Sequence, residues 1–428
     1  MIQNKKTLET ILCAIQKIRP KEFQNYDIGR AMAYPIIYYE KRSIIYEWKA
    51  VLALIIKEYY AFDRIGDNGI ILLYSSSYTK RKDHREKFEK IAKIIQSSSV
   101  ISSHKNRGIN FNNLIKLHKI AKWHMQMRSL DVDIPKQLKR YIVYWLYGFY
   151  CELDEIKRLE KKLKIPAHTF ASYCDVMPSD SILIQYFNNT KRNTVTFQHG
   201  SFNIKTLNGE IVYKYSMSKY FLCYGEYTRN QAIQIGINAD KMIPVGPPEM
   251  IGQTITYEMQ SVCTKKFGLI LSFFEQKDEN IELLKYALEF ARDKGYRCMI
   301  RPHPSLDIKE YEEYMDFNNM FISPTAQNMD DFIKDLEFGI MGTTTVFSTF
   351  VTKLIPVFRY LHDWDKDLYE GIDWCLFRNK EELICLYNKM ENDKAWLYKN
   401  LVSTRNCLIG KEDISKKYKL FFETLISK

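Results

Sequence analysis

A chain of 428 residues with 46% hydrophobic and 27% charged residues has the make-up of a globular protein and room for two domains with full cores. Its formal net charge of +12 admits nucleic acid, an anionic membrane surface or phosphorylated substrates as partners. The basic clusters Lys80–Lys93 and Lys157–Lys164 are interleaved with Glu or Asp at helical spacing, the pattern of a solvated helix face, and neither resembles a nucleic-acid module.

Nine cysteines are scattered without a CxxC pair or a Cys/His cluster at zinc spacing. Cys223, Cys298 and Cys385 sit in apolar runs, as buried small hydrophobes do in a reducing cytoplasm. The N-terminal segment MIQNKKTLETILCAIQKIRP lacks a signal-type apolar core, and a soluble cytoplasmic protein is expected. The apolar stretch YIVYWLYGFY, residues 141–150, falls far short of the ~20 residues of a membrane-spanning helix.

Taken in order, residues up to about 65 read as helices, with apolar positions at i, i+3 and i+4 but no recognisable chemistry. Residues 70–74 (IILLY) suit a buried strand, and Ser75-Ser76-Ser77 leads from it towards a basic helix near Lys80. Such a loop either binds phosphate or simply caps the helix. Helical patterns run over 112–127 and 135–164. The rhythm then changes to strand 169–173, helix 179–191, strand 194–197 and strand 220–224. A helix opened by a Thr228-x-x-Gln231 capping box follows, then strand 242–245. Residues 249–266 read as a linker. Beyond it come strand 268–274, helix 280–294, strand 297–301, helix 308–315 and strand 320–322. Helix 330–336, strand 337–341, a helix from Thr345 and strand 354–358 complete the series, with helix from Lys380 to the end. Short strand–helix–strand connections signal parallel α/β structure. Two mononucleotide-type halves imply a cleft between their sheet edges as the place for a nucleotide. The expected domains are 1–250, 267–400 and a C-terminal helix, 401–428.

Three segments carry candidate chemistry. Gln198-His199-Gly200 ends a strand, where the glycine would turn the chain sharply and leave the imidazole exposed as a general base. Arg301-Pro302-His303-Pro304 ends another. Pro302 and Pro304 stop the ladder, and Arg301 and His303, two residues apart, are donors suited to a diphosphate. Gly342-Thr343-Thr344-Thr345-Val346-Phe347-Ser348 follows a third strand and opens a helix, where free N–H groups and hydroxyls form an anion site. Each has a plainer reading as well: a core histidine, a histidine capping a carbonyl in a turn, and ordinary threonine capping.

The succession strand-QHG … YFLCYGEYTRNQAIQIGI … KMIPVGPPE … RPHPS … FGIMGTTTVFSTFVTKLIPVF, over about residues 166–360, resembles bacterial surface-carbohydrate transferases of the GT-B fold. These are capsule and lipopolysaccharide glycosyltransferases, polysialyltransferases with HP and Ser/Thr motifs, and the CDP-glycerol glycerophosphotransferases of teichoic-acid synthesis. The resemblance implies two Rossmann-like domains facing across a cleft, with extra N-terminal helices. It implies a metal-independent glycosyltransferase that uses a nucleotide-sugar donor and no cofactor, working on a surface glycan or lipid-linked glycan acceptor at the cytoplasmic face of the inner membrane, without nucleic acid. His199 and His303 would be catalytic, with Glu226 a carboxylate alternative and Glu249 behind it. Arg301, Gly342, Thr343, Thr344, Thr345 and Ser348 would bind the donor, and Gln198 and Gly200 the acceptor. Gln198 stands where the glycerophosphotransferases carry tryptophan, which leans towards sugar transfer. Remaining alternatives are a glycerophosphotransferase, a nucleotide-sugar 2-epimerase, and a non-catalytic scaffold in capsule assembly. Asp330-Asp331 and Asp363-x-Asp365-x-Asp367 read as surface charge rather than a metal site.

Overall fold

The computed structural model describes the chain except for residues 1–4, 19, 38–56, 59–60, 64–70, 76–81, 96–97, 103–104, 107–110, 130–133, 164–167, 174, 199, 254–257, 260–261, 274–275, 325–326, 363–366 and 427–428. The chain divides into two compact units. The first comprises residues 1–224, 228–252 and 412–428, and the second comprises 225–227 and 253–411.

The first unit is built on a seven-stranded sheet. A two-residue ribbon pairs β1 (Lys57–Glu58) with β5 (Lys105–Asn106) outside it. The sheet itself holds β2 (Ala61–Asp63), β3 (Ile71–Ser75), β4 (Ser98–Ser102), β6 (Thr169–Ser172), β7 (Asn193–Phe197), β8 (Tyr220–Cys223) and β9 (Met242–Pro244). Their order is β2-β4-β3-β6-β7-β8-β9, parallel throughout except for β2 at the edge. The helix Ile414–Ile426 belongs to this unit: Tyr418 and Phe422 pack on Phe197 at 6.3 and 6.2 Å, and the Tyr418 hydroxyl donates to the Gly246 carbonyl.

The second unit carries β10 (Lys266–Ile270), β11 (Arg297–Arg301), β12 (Met320–Ile322), β13 (Phe338–Met341), β14 (Val357–Tyr360) and β15 (Leu376–Phe377), all parallel. The order is β12-β11-β10-β13-β14-β15. In sequence order this is 3-2-1-4-5-6, the Rossmann arrangement, whose direction of winding reverses between β10 and β13. One face of this sheet is aromatic. Phe267 and Phe338 stack across the β10–β13 pair at 5.2 Å, and Phe290, Tyr296 and Tyr387 close round them. On the opposite face the next register pair is Gly268 and Gly339. A Cβ on Gly339 would lie 2.5 Å from the ring of Phe350, and one on Gly268 would lie 2.6 Å from Leu336. The bare strands therefore let the short helix Phe347–Thr352 settle directly onto the sheet. Gly339→Ala is expected to cost about 1–3 kcal/mol by overpacking, read as a lower urea midpoint with an unchanged m-value.

Most strands fall where the alternation of the sequence puts them, with several differences. The helical reading near residue 60 fails on the described residues there, Lys57–Glu58 and Ala61–Asp63, which are strands. The rest of that segment lies outside the described residues, as do Ser76 and Ser77. β4 and the helix Leu207–Lys214 carry too weak a period to stand out in the sequence. Thr228 is not a cap: it is buried inside a helix that already begins at Glu226. The segment from Ile308 is a 3-10 helix ending at Tyr314, tighter than the α-helix expected. Cys223 and Cys298 are buried, whereas Cys385 is exposed.

Candidate functional site

At the carboxyl ends of the strands of the second unit lies a cavity of about 170 Å³. It is lined by Ile270 and Leu271 at the end of β10, by Arg301 to Pro304 at the end of β11, by Ser323 after β12, by Met329, and by Thr344 and Val346 after β13. This is the edge, and the point of winding reversal, at which open α/β sheets bind ligands.

β11 positions the first two groups. Tyr296 N–H bonds to the Ala291 carbonyl at the end of helix Lys277–Lys294, and the strand starts at the next residue. Arg301 is half-buried. One terminal nitrogen donates to the Pro324 carbonyl (3.1 Å) and the other to the Gln327 carbonyl (2.6 Å), with the guanidinium over the Phe332 ring. The cation thus ties down the loop after β12. Burial pulls its pKa below the ordinary value, but a guanidinium keeps its charge in proteins.

His303 is exposed, with the Phe273 ring edge-on at 6.3 Å. Ser305 directs both its N–H (3.2 Å) and its hydroxyl (2.8 Å) to Nδ1. A ring nitrogen that accepts a backbone N–H carries no proton, so the neutral ring holds its hydrogen on Nε2. Partial desolvation lowers the pKa and favours the same neutral form. His303 therefore offers a fixed N–H donor rather than a cation.

The threonine loop is arranged differently from a simple row of free donors. Glu279, in the first turn of helix Lys277–Lys294, is buried, and its Oε1 accepts the Thr343 N–H at 2.7 Å. The Thr343 hydroxyl donates to Oε2 (3.2 Å) and the Ser272 hydroxyl to Oε1 (3.0 Å). A Cβ on Gly342 would come within 1.9 Å of Oε1, so a side chain at 342 would have to displace this carboxylate. Thr343 is thus spent on Glu279. Thr344 lines the cavity, and its hydroxyl accepts the Val346 N–H at 3.3 Å. The Thr345 carbonyl accepts from the Ser348 hydroxyl (2.9 Å) and from Tyr369 (3.4 Å), and neither Thr345 nor Ser348 lines the cavity. The following helix has six residues, too short to build up much of a dipole.

Burial pushes the Glu279 carboxyl up, outweighing the three hydrogen bonds that favour its charge. A carboxyl with a raised folded-state pKa takes up more protons when folded than when unfolded, between the two pKa values. Its contribution to stability then falls as pH rises through that window, upward from the ordinary carboxyl value. Glu279→Gln keeps the shape and an acceptor, and is expected to flatten this part of the stability–pH curve measured by urea denaturation.

Behind the loop, Arg359 of β14 is buried against buried Asp367 at 2.6 Å, and also donates to the Ile372 carbonyl at 2.7 Å. The same guanidinium lies over Phe347 and Tyr369, whose rings meet at 4.7 Å. The reading of Asp367 as surface charge is therefore overturned: its carboxylate is one half of an internal ion pair. Asp363 and Asp365 lie outside the described residues. Asp330 does sit at the surface, paired with Lys353.

In the first unit His199 lies outside the described residues. Gln198 is buried. Its Oε1 accepts the Tyr224 N–H (2.7 Å) and its Nε2 donates to the Gly200 carbonyl (2.7 Å), so the amide joins the ends of β7 and β8. Gly200 keeps an ordinary φ with open space where a Cβ would sit, so the chain there does not need glycine. Glu226 is the exposed first residue of its helix, where a carboxylate complements the dipole. Glu249 is paired with Lys87 at 3.3 Å.

Of the residues singled out in the sequence, Arg301, His303 and Thr344 come together in one cavity. Glu279, Ser272, Ser305 and Ser323 were not singled out. Glu279 had a signal, a carboxylate just after the strand at the winding reversal, but the helix appeared to start one residue later.

No protein-family model matches the chain, and no curated protein matches it. Solved structures do. A candidate UDP-N-acetylglucosamine 2-epimerase from Listeria monocytogenes matches with a TM-score of 0.54 at 9% identity, over 84% of this chain and 96% of that one. The UDP-GlcNAc 2-epimerase of Neisseria meningitidis, bound to UDP-GlcNAc, gives 0.49 at 12% identity over 84% and 99%. The glycosyltransferase SnogD of Streptomyces nogalater gives 0.48 at 9% identity over 84% and 100%. At such identities the likeness is one of fold: the chain has two Rossmann-like units, the GT-B fold, which it shares with the Listeria protein.

Proposed function

We propose that the protein is a glycosyltransferase that takes its sugar from a nucleotide-sugar donor, with the diphosphate of the donor held in the cavity of the second unit. One observation carries this reading: a guanidinium, a fixed imidazole N–H and a threonine converge on a cavity at the winding reversal of a Rossmann sheet. At about 170 Å³ it is smaller than the roughly 300–1,000 Å³ of whole-ligand sites, which suits one polar part of a longer substrate. Arg301 supplies positive charge and His303 Nε2–H a neutral donor, both aimed at charge that grows on the leaving diphosphate. Reaction without a metal and His199 as the base towards a surface-glycan acceptor belong to the same proposal. They rest on the resemblance of the QHG and RPHPS segments.

Epimerisation of a nucleotide sugar is the second reading, favoured by the fold shared with the Listeria protein. Screening UDP-, CMP-, CDP- and GDP-linked sugars for thermal stabilisation separates the outcomes. A bound donor at 100 times its Kd adds about 2.7 kcal/mol to the folded state. The protein is expected to be stabilised by one donor, and Arg301→Ala to abolish that shift. Consumption of the donor only with a glycan acceptor, and undiminished by EDTA, is the expected result. Conversion without any acceptor would establish the epimerase, and stabilisation by no nucleotide would overturn both.

A further inference from the structure

The segment 111–128 forms a nearly continuous helical rod. Helices Phe111–Ile115 and His118–Arg128 are bridged by the bonds Leu117 N–H to Leu114 O and Ile120 N–H to Leu117 O. Its inner side carries buried Asn113, Trp123 and Met127, packed towards helix Lys136–Leu163. Its outer side places Phe111, Leu114, Ile115, His118, Lys122 and Met125 at offsets 0, 3, 4, 7, 11 and 14, one stripe of a helix. Its four apolar members are exposed, Phe111 69%, Ile115 72%, Met125 65% and Leu114 40%, with His118 and Lys122 among them. Three of these fall within five residues, a density unlike the single exposed apolar side chains normal on a surface.

The charge around the stripe selects its partner. Residues 111–129 contain four Lys or Arg and no Asp or Glu. Lys116 and Lys119 are turned inward to Asp154 and Glu22. Exposed Lys122 lies within the stripe itself and exposed Arg128 beside it, with Lys136 exposed at the start of the adjoining helix. Apolar side chains flanked by outward cations match a lipid interface with anionic headgroups, in which a helix lies in the plane of the surface. Among the described residues no helix is long and apolar enough to cross a membrane.

We infer that the outer face of residues 111–128 docks the protein onto an anionic lipid bilayer surface. This docking is independent of the donor site, since it rests on the first unit alone. The test is flotation of the full chain with vesicles of phosphatidylcholine, with and without phosphatidylglycerol, at low and high salt. Binding is expected only with phosphatidylglycerol, and salt should weaken it. Phe111→Ser with Ile115→Ser, and separately Lys122→Glu with Arg128→Glu, should each lower the affinity at least about tenfold. All four side chains are exposed, so circular dichroism and thermal midpoints should stay unchanged, and donor binding should be retained. Equal binding to neutral vesicles, or variants that bind like the parent, would overturn the inference. So would a dimer in sedimentation that Phe111→Ser with Ile115→Ser dissolves, which would assign the stripe to a second copy of the chain.

Discussion

His303→Ala is expected to lower kcat/KM for the donor by about 10²–10³-fold, the loss typical of one preorganised donor aimed at developing negative charge. The imidazole is held as the Nε2–H tautomer by two donors from Ser305 at Nδ1, so what the alanine removes is a neutral hydrogen bond. His303→Gln, which can place an N–H at a similar reach, should recover part of the loss. The lowered pKa of His303 carries a consequence for pH. Its protonation lies below the ordinary histidine value, so this group contributes no change in kcat/KM at neutral pH and above. Nitrogen-15 spectra of the full chain should show the Nε2–H form at pH 7. A His303→Gln variant as weak as alanine, together with a falling rate between pH 6 and 7.5, would show that an imidazolium is needed instead.

The central strands β10 and β13 are almost wholly buried and read as apolar runs, whereas β11 and β12 keep exposed residues and are marked by the Gly295, Pro302 and Pro324 around them. Arg297–Arg301 and Met320–Ile322 are observed with the boundaries that the sequence pattern gives. The proline pair around His303 marks the end of β11 by its missing donors, a local property that any chain carries in its sequence. Glu279 is a different case. Its role depends on Gly342, 63 positions later in the chain, leaving room for the carboxylate against Thr343. Nothing local to either residue reveals that. Gly268 and Gly339 could have been noticed, since glycine inside a strand marks close approach of another element. Gln198 was read as a ligand-facing amide, and the structure shows it bonded to Tyr224 and Gly200. A buried amide and an exposed one look alike in sequence. Helix Ile414–Ile426 likewise has an apolar stripe that names no partner, and only the folded structure places it on Phe197 of the first unit.

Arg359→Ala should destabilise the second unit by about 3–5 kcal/mol, the range for removing one partner of a buried ion pair. Asp367 is buried and would be left as an unpaired charge, and the carbonyl of Ile372 would lose its donor. The damage should reach the cavity. Arg359 supports the ring of Tyr369, Tyr369 packs on Phe347, and its hydroxyl meets the Thr345 carbonyl one residue from Thr344. Donor affinity should therefore fall together with stability, although Arg359 does not line the cavity. The double variant Arg359→Met with Asp367→Leu tests the cause. It removes both charges and leaves no buried ion, so it should regain much of the lost stability. It should not regain all of it, because methionine donates nothing to the Ile372 carbonyl. Urea denaturation of the full chain, read beside donor titration, distinguishes the outcomes. A single variant within about 1 kcal/mol of the parent would place this pair with exposed ion pairs of little energetic weight.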